Sequence, residues 1–541
     1  MKKYYVCLIA LISLSLILTT FSFANEARGP KYGGTFVQPL REEPDNLNPQ
    51  VTTRAYSYMI FTHIMEPLLI WNNDLELEGL LAKDWETDDN LTWTFHLKEG
   101  VEFHNGEPFT AEAVKFTYSD EMFLSDSNPS KWVLDNLKEV EVVDKYTANF
   151  HLKKKSPLFP QLLADGYTAI FPPEATKEYG DKFGTEALIG TGPYKMGQWK
   201  HGEEITLMRY EDYDHGPDFL RSGPAYIEKK VFRIIPEATT RISLLTSGDA
   251  DIILSVDPKF VDQLRRAVDV AVRITPAYGE QFMHFNQDIE MLQEKNVRQA
   301  IAHAVNKEAI LKGAWSGIGF VAKGLFPEAT VGYDPEIRES AYEYDPEKAE
   351  ELLEEAGWLD EDGDGIREKG GKDLRLDLIT FAKLDQWATA AEMIKPMLEE
   401  IGFKIDLHLY EVGAAYDIIE SRGKQYDIGI TKILYNLGTG YLTLLCGCGQ
   451  SLNYPGYCNE ELDSLIEQAK LGESAEIRAE SLLEAHKIAV ESAVWVPLIV
   501  RTNRMAYRAD RLGGVEDFTK HPWAGGGDAA LSQSLSLYIK D

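Results

Sequence analysis

Asp360, Asp362 and Asp364 alternate in the run Asp360-Glu361-Asp362-Gly363-Asp364-Gly365. Carboxylates at the first, third and fifth places with glycine sixth are how a calcium loop begins. The chelating glutamate belonging at the twelfth place is missing, because Gly371 stands there. Two readings stay open: a structural Ca²⁺ held by the three aspartates, or a solvated acidic turn that needs no cofactor. Cys446, Cys448 and Cys458 lie close together. In an oxidising compartment they can form one bridge, from Cys446 or Cys448 to Cys458, with one thiol left over. Three thiolates could instead hold a soft metal, but no adjacent histidine completes a zinc-like set; the nearest downstream is His486, in a helical pattern. His63, His96, His104 and His151 are scattered singly, and neither His-Glu-x-x-His nor Gly-x-Ser-x-Gly occurs. Gly190-Thr191-Gly192-Pro193 reads as a turn and not a phosphate loop, since Tyr194-Lys195-Met196 does not open a helix. Nothing here assembles a catalytic site. A secreted glycan hydrolase using some pair of the 87 acidic residues is the enzyme-class alternative.

The elements around these residues are legible. Leu91, Trp93, Phe95 and Leu97 alternate with polar residues, as in a strand with one buried face. Lys98-Glu99-Gly100 turns the chain, Val101 and Phe103 resume the alternation, and Thr110 can cap a following helix that has Glu112 in its first turn. A hairpin feeding a helix is expected. Met59 to Ile70 reads as an apolar helix leading into a strand, and Thr239 to Leu245 as a helix followed by a strand from Asp249. Asp345 can cap a helix with Pro346 at its first position, an apolar face at Ala349, Leu352, Leu353 and Ala356, and Gly357 at its end.

A chain of 541 residues is too long for one ordinary core, so two or three domains are expected. Its first residues have the make-up of a secretory signal peptide: Lys2 and Lys3, an apolar run from Val6 to Leu18, and Ser22-Phe23-Ala24 at the cleavage point. Cys7 lies inside the apolar run, away from the cleavage point, and so does not read as a lipoprotein acylation site. Loss of Lys2 and Lys3 takes the formal charge from -32 to -34, which repels nucleic acid and anionic lipid.

Asn90 to Ala113, NLTWTFHLKEGVEFHNGEPFTAEA, resembles the signature segment of the family 5 extracellular solute-binding proteins, the dipeptide, oligopeptide and nickel-chelate receptors of ABC importers. Further landmarks of that family follow in order: Glu66-Pro67-Leu68, Leu81-Ala82-Lys83-Asp84-Trp85, Gly190-Thr191-Gly192-Pro193-Tyr194, Asn296-Val297-Arg298-Gln299-Ala300-Ile301 and Tyr344-Asp345-Pro346-Glu347-Lys348-Ala349. The resemblance implies an α/β, two-lobed periplasmic binding protein fold (type II, cluster C-like) with an inserted α+β subdomain in the first lobe. It implies a signal peptide at 1–24, lobe I at 25–70, 190–280 and 504–541, the insert at 71–189, and lobe II at 281–503. A monomeric periplasmic receptor that hands a small solute to an inner-membrane ABC permease is the expected role; the same fold could also serve a membrane sensor.

By the same resemblance, one wall of the ligand cleft falls at Thr52 to Tyr58, where Arg54 could grip a carboxylate and Tyr56 and Tyr58 offer flat faces. The opposite wall falls at Tyr435, Asn436, Gly440 and Tyr441. Peptide receptors of the family usually carry an acidic residue and a proline there, and this chain has Gly440 and Tyr441 instead. A peptide's ammonium would lose its main partner, although Asp427 lies near in sequence. The departure leaves a backbone-read peptide, an oligosaccharide or a metal chelate as candidate cargo.

Overall fold

A computed structural model describes residues 30–382, 385–421, 425–524 and 529–540; the leader read at residues 1–24 lies outside them. Thr92–Leu97 is a strand whose apolar residues point to one side, but it does not turn back on Val101 and Phe103. It sits between Ala82–Glu86 and Thr147–Leu152 in a four-stranded antiparallel sheet closed by Leu137–Asp144. The expected return arm makes only the Glu102 to Pro108 bridge, because Val101, Phe103 and Phe109 drop into the core on one face of that sheet. The helix Ala111–Thr117 follows as expected.

A second four-stranded sheet orders Thr35–Leu40, Lys229–Ile234, Glu204–Arg209 and Tyr194–Lys200, with the first pair parallel. The two sheets are sewn together around Glu66, which is 2% exposed. Its Oε2 accepts from Thr191 Oγ1 at 2.8 Å and faces His215 Nε2 at 2.9 Å, while Oε1 accepts from Tyr213 Oη at 2.8 Å. Lys98 Nζ donates to the His215 carbonyl, and His104 Nε2 donates to the Gly192 carbonyl. Gly190 and Gly192 lie so close to the backbone of His63 and Ile64 that neither has room for a Cβ. The family landmarks Glu66-Pro67-Leu68, Lys98 to His104 and Gly190-Thr191-Gly192 are therefore parts of one buried joint.

The remaining large sheet has seven strands. Its path runs Ile252–Ile253, Trp495–Arg508, Val270–Phe285, Ile428–Ile433, Arg375–Phe381 and Lys404–Tyr410, with Phe320–Val321 paired to the side. Parallel pairing at Arg375–Phe381 and helices such as Lys295–Ala304, Pro346–Glu355 and Ala475–Glu491 bury this lobe's core. Asp345 caps its helix through the Lys348 N–H, and Gly357 beyond that helix has φ +82°.

Val270–Phe285 and Trp495–Arg508 are long antiparallel partners. Their outer parts lie beside the first lobe, through Ile252–Ile253 and the Asp251 N–H bond to the Val37 carbonyl. Their inner parts form the centre of the second lobe. The sequence-based limits at 280/281 and 503/504 thus fall within continuous strands. Among the described residues no helix is long and apolar enough to cross a membrane.

Candidate functional site

The ladder between the two long strands breaks between Pro276, opposite Thr502, and Glu280, opposite Val500. Ala277, Tyr278 and Gly279 bulge out of the pairing opposite Arg501. Gly279 has φ +99°, and a Cβ there would crowd the Leu434 side chain at 2.5 Å, so both conformation and space require glycine. The Arg501 guanidinium lies 5.8 Å from the Tyr278 ring centre.

A cavity of about 390 Å³ opens at this bulge. The first lobe contributes Tyr56, Tyr58 and Met59 from the helix Ala55–Phe61. The helix starts earlier than the apolar run from Met59 suggested, which puts these tyrosines on it. Tyr58 is held in place: its hydroxyl accepts the Gly166 N–H at 3.1 Å and its ring centre is 4.8 Å from that of Tyr167. The inserted subdomain adds Trp132, 59% exposed, and Asp165, whose Oδ1 accepts the Tyr167 N–H at 2.9 Å. Leu434, Tyr435 and Asn436 come from the chain leaving Ile428–Ile433. Trp523 closes one side, its Nε1 donating to the Ala329 carbonyl at 2.6 Å. The wall is rich in aromatic side chains, with one carboxylate, Asp165, and one guanidinium, Arg501.

Of the residues expected from sequence, Tyr56, Tyr58, Tyr435 and Asn436 meet in this wall, and four do not. Thr52 is 1% exposed and donates to Asp45 Oδ1 at 2.6 Å, as Ser57 does at 2.8 Å. Partial burial opposes the Asp45 charge, but the bonds from Thr52, Ser57 and the Asn46 N–H outweigh it and hold the carboxyl below its usual range. Thr52 thus anchors the approach to the helix. Arg54 is exposed at the helix N-cap and is not part of the wall, although Thr53 and Ala55 beside it are.

Gly440 and Tyr441 lie within the helix Gly438–Cys446, which turns Tyr441 into the lobe core at 0% exposure. Its hydroxyl donates to the Ile433 carbonyl at 3.0 Å, and its ring meets Tyr435 edge-on with centres 6.4 Å apart. A Cβ on Gly440 would collide with the Tyr435 ring. Both residues support Tyr435 from behind. Asp427 is also away from the cavity, its Oδ2 accepting the Asp377 N–H at 2.6 Å.

Sequence reasoning missed Trp132, Asp165, Tyr167, Tyr278, Arg501, Asn503 and Trp523. The one local signal was Pro276 and Gly279 interrupting an otherwise strand-like run. Cys448 bonds to Cys458, with Cα atoms 4.8 Å apart, and Cys446 is a buried free thiol pushed up to about 12 by burial. A three-thiolate metal site is therefore not formed. Side-chain oxygens of Asp360, Asp362, Asp364 and Glu368 lie within 4.8 Å of one another. They already accept backbone N–H bonds from Gly363, Gly365, Asp364, Ile366 and Glu361.

A family profile described as bacterial extracellular solute-binding proteins, family 5, middle region, matches residues 76–450. The chain belongs to that family. This family 5 solute-binding protein is 28% identical over 467 residues to the oligopeptide-binding protein AppA of Bacillus subtilis, covering 83% of each chain. It is 30% identical over 426 residues to the nickel-binding periplasmic protein of Escherichia coli, covering 75% of this chain and 76% of that one. Among solved structures, HbpA2 from Haemophilus parasuis superposes with a TM-score of 0.79 at 23% identity, over 94% of this chain and all of the other. That likeness is one of fold, two lobes of mixed α/β structure. The family 5 protein is a binding protein and not an enzyme.

Proposed function

We propose that this protein captures a small peptide-like organic solute in the cavity between its lobes and delivers it to an ABC permease. The carrying observation is the cavity of about 390 Å³ at the break in the interlobe strands, with aromatic walls from both lobes and both charge signs present. A volume of this order suits a compact organic ligand. Asp165 supplies the anion that Gly440 and Tyr441 do not, so a ligand ammonium has a partner from the inserted subdomain. Oligopeptide and nickel relatives mark the range of the family, and a ligand of a few residues or a compact chelate fits this cavity better than a long peptide. Closure follows from ligand contacts with both lobes, since only contacts better made in the closed state bias the equilibrium.

In this reading the leader directs the chain to the periplasm and is removed there. Native mass spectrometry of protein recovered from the periplasm tests both parts. The expected polypeptide begins at Asn25 and carries a solute that leaves on denaturation. A periplasmic protein that never carries a solute, from native or ligand-rich medium, would speak against the capture role.

The acidic turn is proposed to fold without an ion, its carboxylates being occupied by the turn's own N–H groups. Calorimetric titration with Ca²⁺ after chelation is expected to give no binding heat at about millimolar calcium, the weak end of such loops. A saturable heat abolished by Asp360→Asn would assign a calcium site.

A further inference from the structure

Beside the main cavity lies a chamber of about 220 Å³ that shares Ser255, Leu434 and Arg501 with it. Arg501, Arg504 and Lys432 line the chamber, with Gln281, Gln386 and Thr502 among its polar groups. Among the described residues no carboxylate lines it, in a chain with 87 acidic and 55 basic residues. Three cations gathered in one recess, with no carboxylate among its described lining residues, run against that balance.

The partners of these groups strengthen the point. Among the described residues neither Arg501, Arg504 nor Lys432 is in an ion pair, whereas the nearby strand residue Arg508 pairs with Asp510 and Arg511 with Asp251. Arg504 is anchored, its Nε donating to the Val256 carbonyl at 2.7 Å and its Nη1 to Thr502 Oγ1 at 2.5 Å. Burial, and then the neighbouring Arg501 charge, push its pKa down, with Asp257 opposing. Asp257 lines an adjoining chamber and is engaged with Lys259. Asp165 lines the main cavity; Glu280, buried next to Gln281 on the same strand and opposite Val500, does not line the chamber, and the charge acting on it is that of Lys307. An anchored guanidinium, Arg504, beside a second one that repels it, Arg501, is a standing site for an oxyanion, whose charge relieves the repulsion and accepts the forked N–H donors.

We propose that Arg501, Arg504 and Lys432 form an anion subsite that takes the multiply charged oxyanion end of the solute, a dicarboxylate or phosphate group. The inference rests on the capture reading, because Arg501 belongs to both spaces: the body of the ligand lies against the aromatic wall and its anionic end enters the side chamber. The position also has a mechanical meaning. Arg501 faces the bulge where the interlobe ladder is broken, so an anion held there lies at the break in the strands that join the lobes.

Inorganic phosphate and malonate are the probes, titrated into solute-free full-length mature protein by calorimetry, with sodium chloride of matched ionic strength as control. At least one probe is expected to bind saturably, and the tighter one distinguishes a phosphate end from a dicarboxylate end. The double variant Arg501→Gln, Lys432→Gln is expected to weaken that probe at least tenfold, while Arg54→Gln, outside the wall, leaves it unchanged. Unfolding temperatures of the variants without probe establish that they are folded. No binding beyond the chloride control, or equal binding to the double variant, would overturn the subsite. A neutral or purely cationic solute found by native mass spectrometry would also overturn it while leaving capture intact. Loss of capture itself is read separately, from solute retention.

Discussion

Alanine at both Tyr56 and Tyr435 is expected to weaken binding of the retained solute about a hundredfold, about 2.7 kcal/mol. The two rings come from opposite lobes and line the same cavity, so their removal takes away stacking area and loosens the contacts that favour closure. Each single variant is expected to lose about tenfold. Tyr441→Phe provides the contrast. Its hydroxyl bonds inside the lobe to the Ile433 carbonyl and its side chain is fully buried, so the change should lower stability with little effect on affinity. Calorimetric titration of solute-free protein measures the losses. Affinity unchanged in the double variant would mean the ligand occupies another part of the cleft.

Glu66→Ala is expected to destabilise the first lobe by about 3 kcal/mol, at the low end for removing one member of a buried charged network. The Glu66 carboxylate receives Thr191, Tyr213 and His215; without it these groups are left buried with an acceptor missing. Burial by itself would raise the Glu66 pKa, but the attraction and hydrogen bond of His215, with those of Thr191 and Tyr213, overcome it and lower the value below 4.5. The sign of the pH dependence follows. A carboxylate with a lowered folded pKa stabilises the native state above its unfolded value, and the benefit is lost as pH falls through the folded one. The stability gap between wild type and Glu66→Gln is therefore expected to be full at neutral pH and to shrink below pH 4.5. Urea unfolding at a series of pH values measures it. A gap that widened in acid would place the charge of Glu66 in the wrong role.

Family membership and much of the local structure were legible without coordinates. Asp345 and Pro346 begin a helix that Gly357 follows, because a side-chain acceptor, a fixed φ and a left-handed residue act within a turn of themselves. The Thr92–Leu97 strand showed its alternation for the same reason. Its partner was not legible. Val101 and Phe103 have the same apolar spacing as a return strand, and only the room under the sheet drew them into a core instead. Tyr435 and Tyr441 look equivalent in sequence, yet one faces the cleft and the other the lobe interior, since Gly438–Cys446 is a helix packed against Phe326. The choice of Cys448 over Cys446 for the bond to Cys458 was decided by the same helix, which buries Cys446 at its end.

The sequence by itself determined the family and the alternating and capped segments. Tertiary structure alone decided what the cleft is made of. Its wall gathers Trp132, Asp165, Tyr278, Arg501 and Trp523 from segments hundreds of residues apart, and no local periodicity records which of them will meet. What brings them together is long-range: the Glu66 joint holds the inserted subdomain on the first lobe, and the broken ladder between Val270–Phe285 and Trp495–Arg508 opens the space between the lobes.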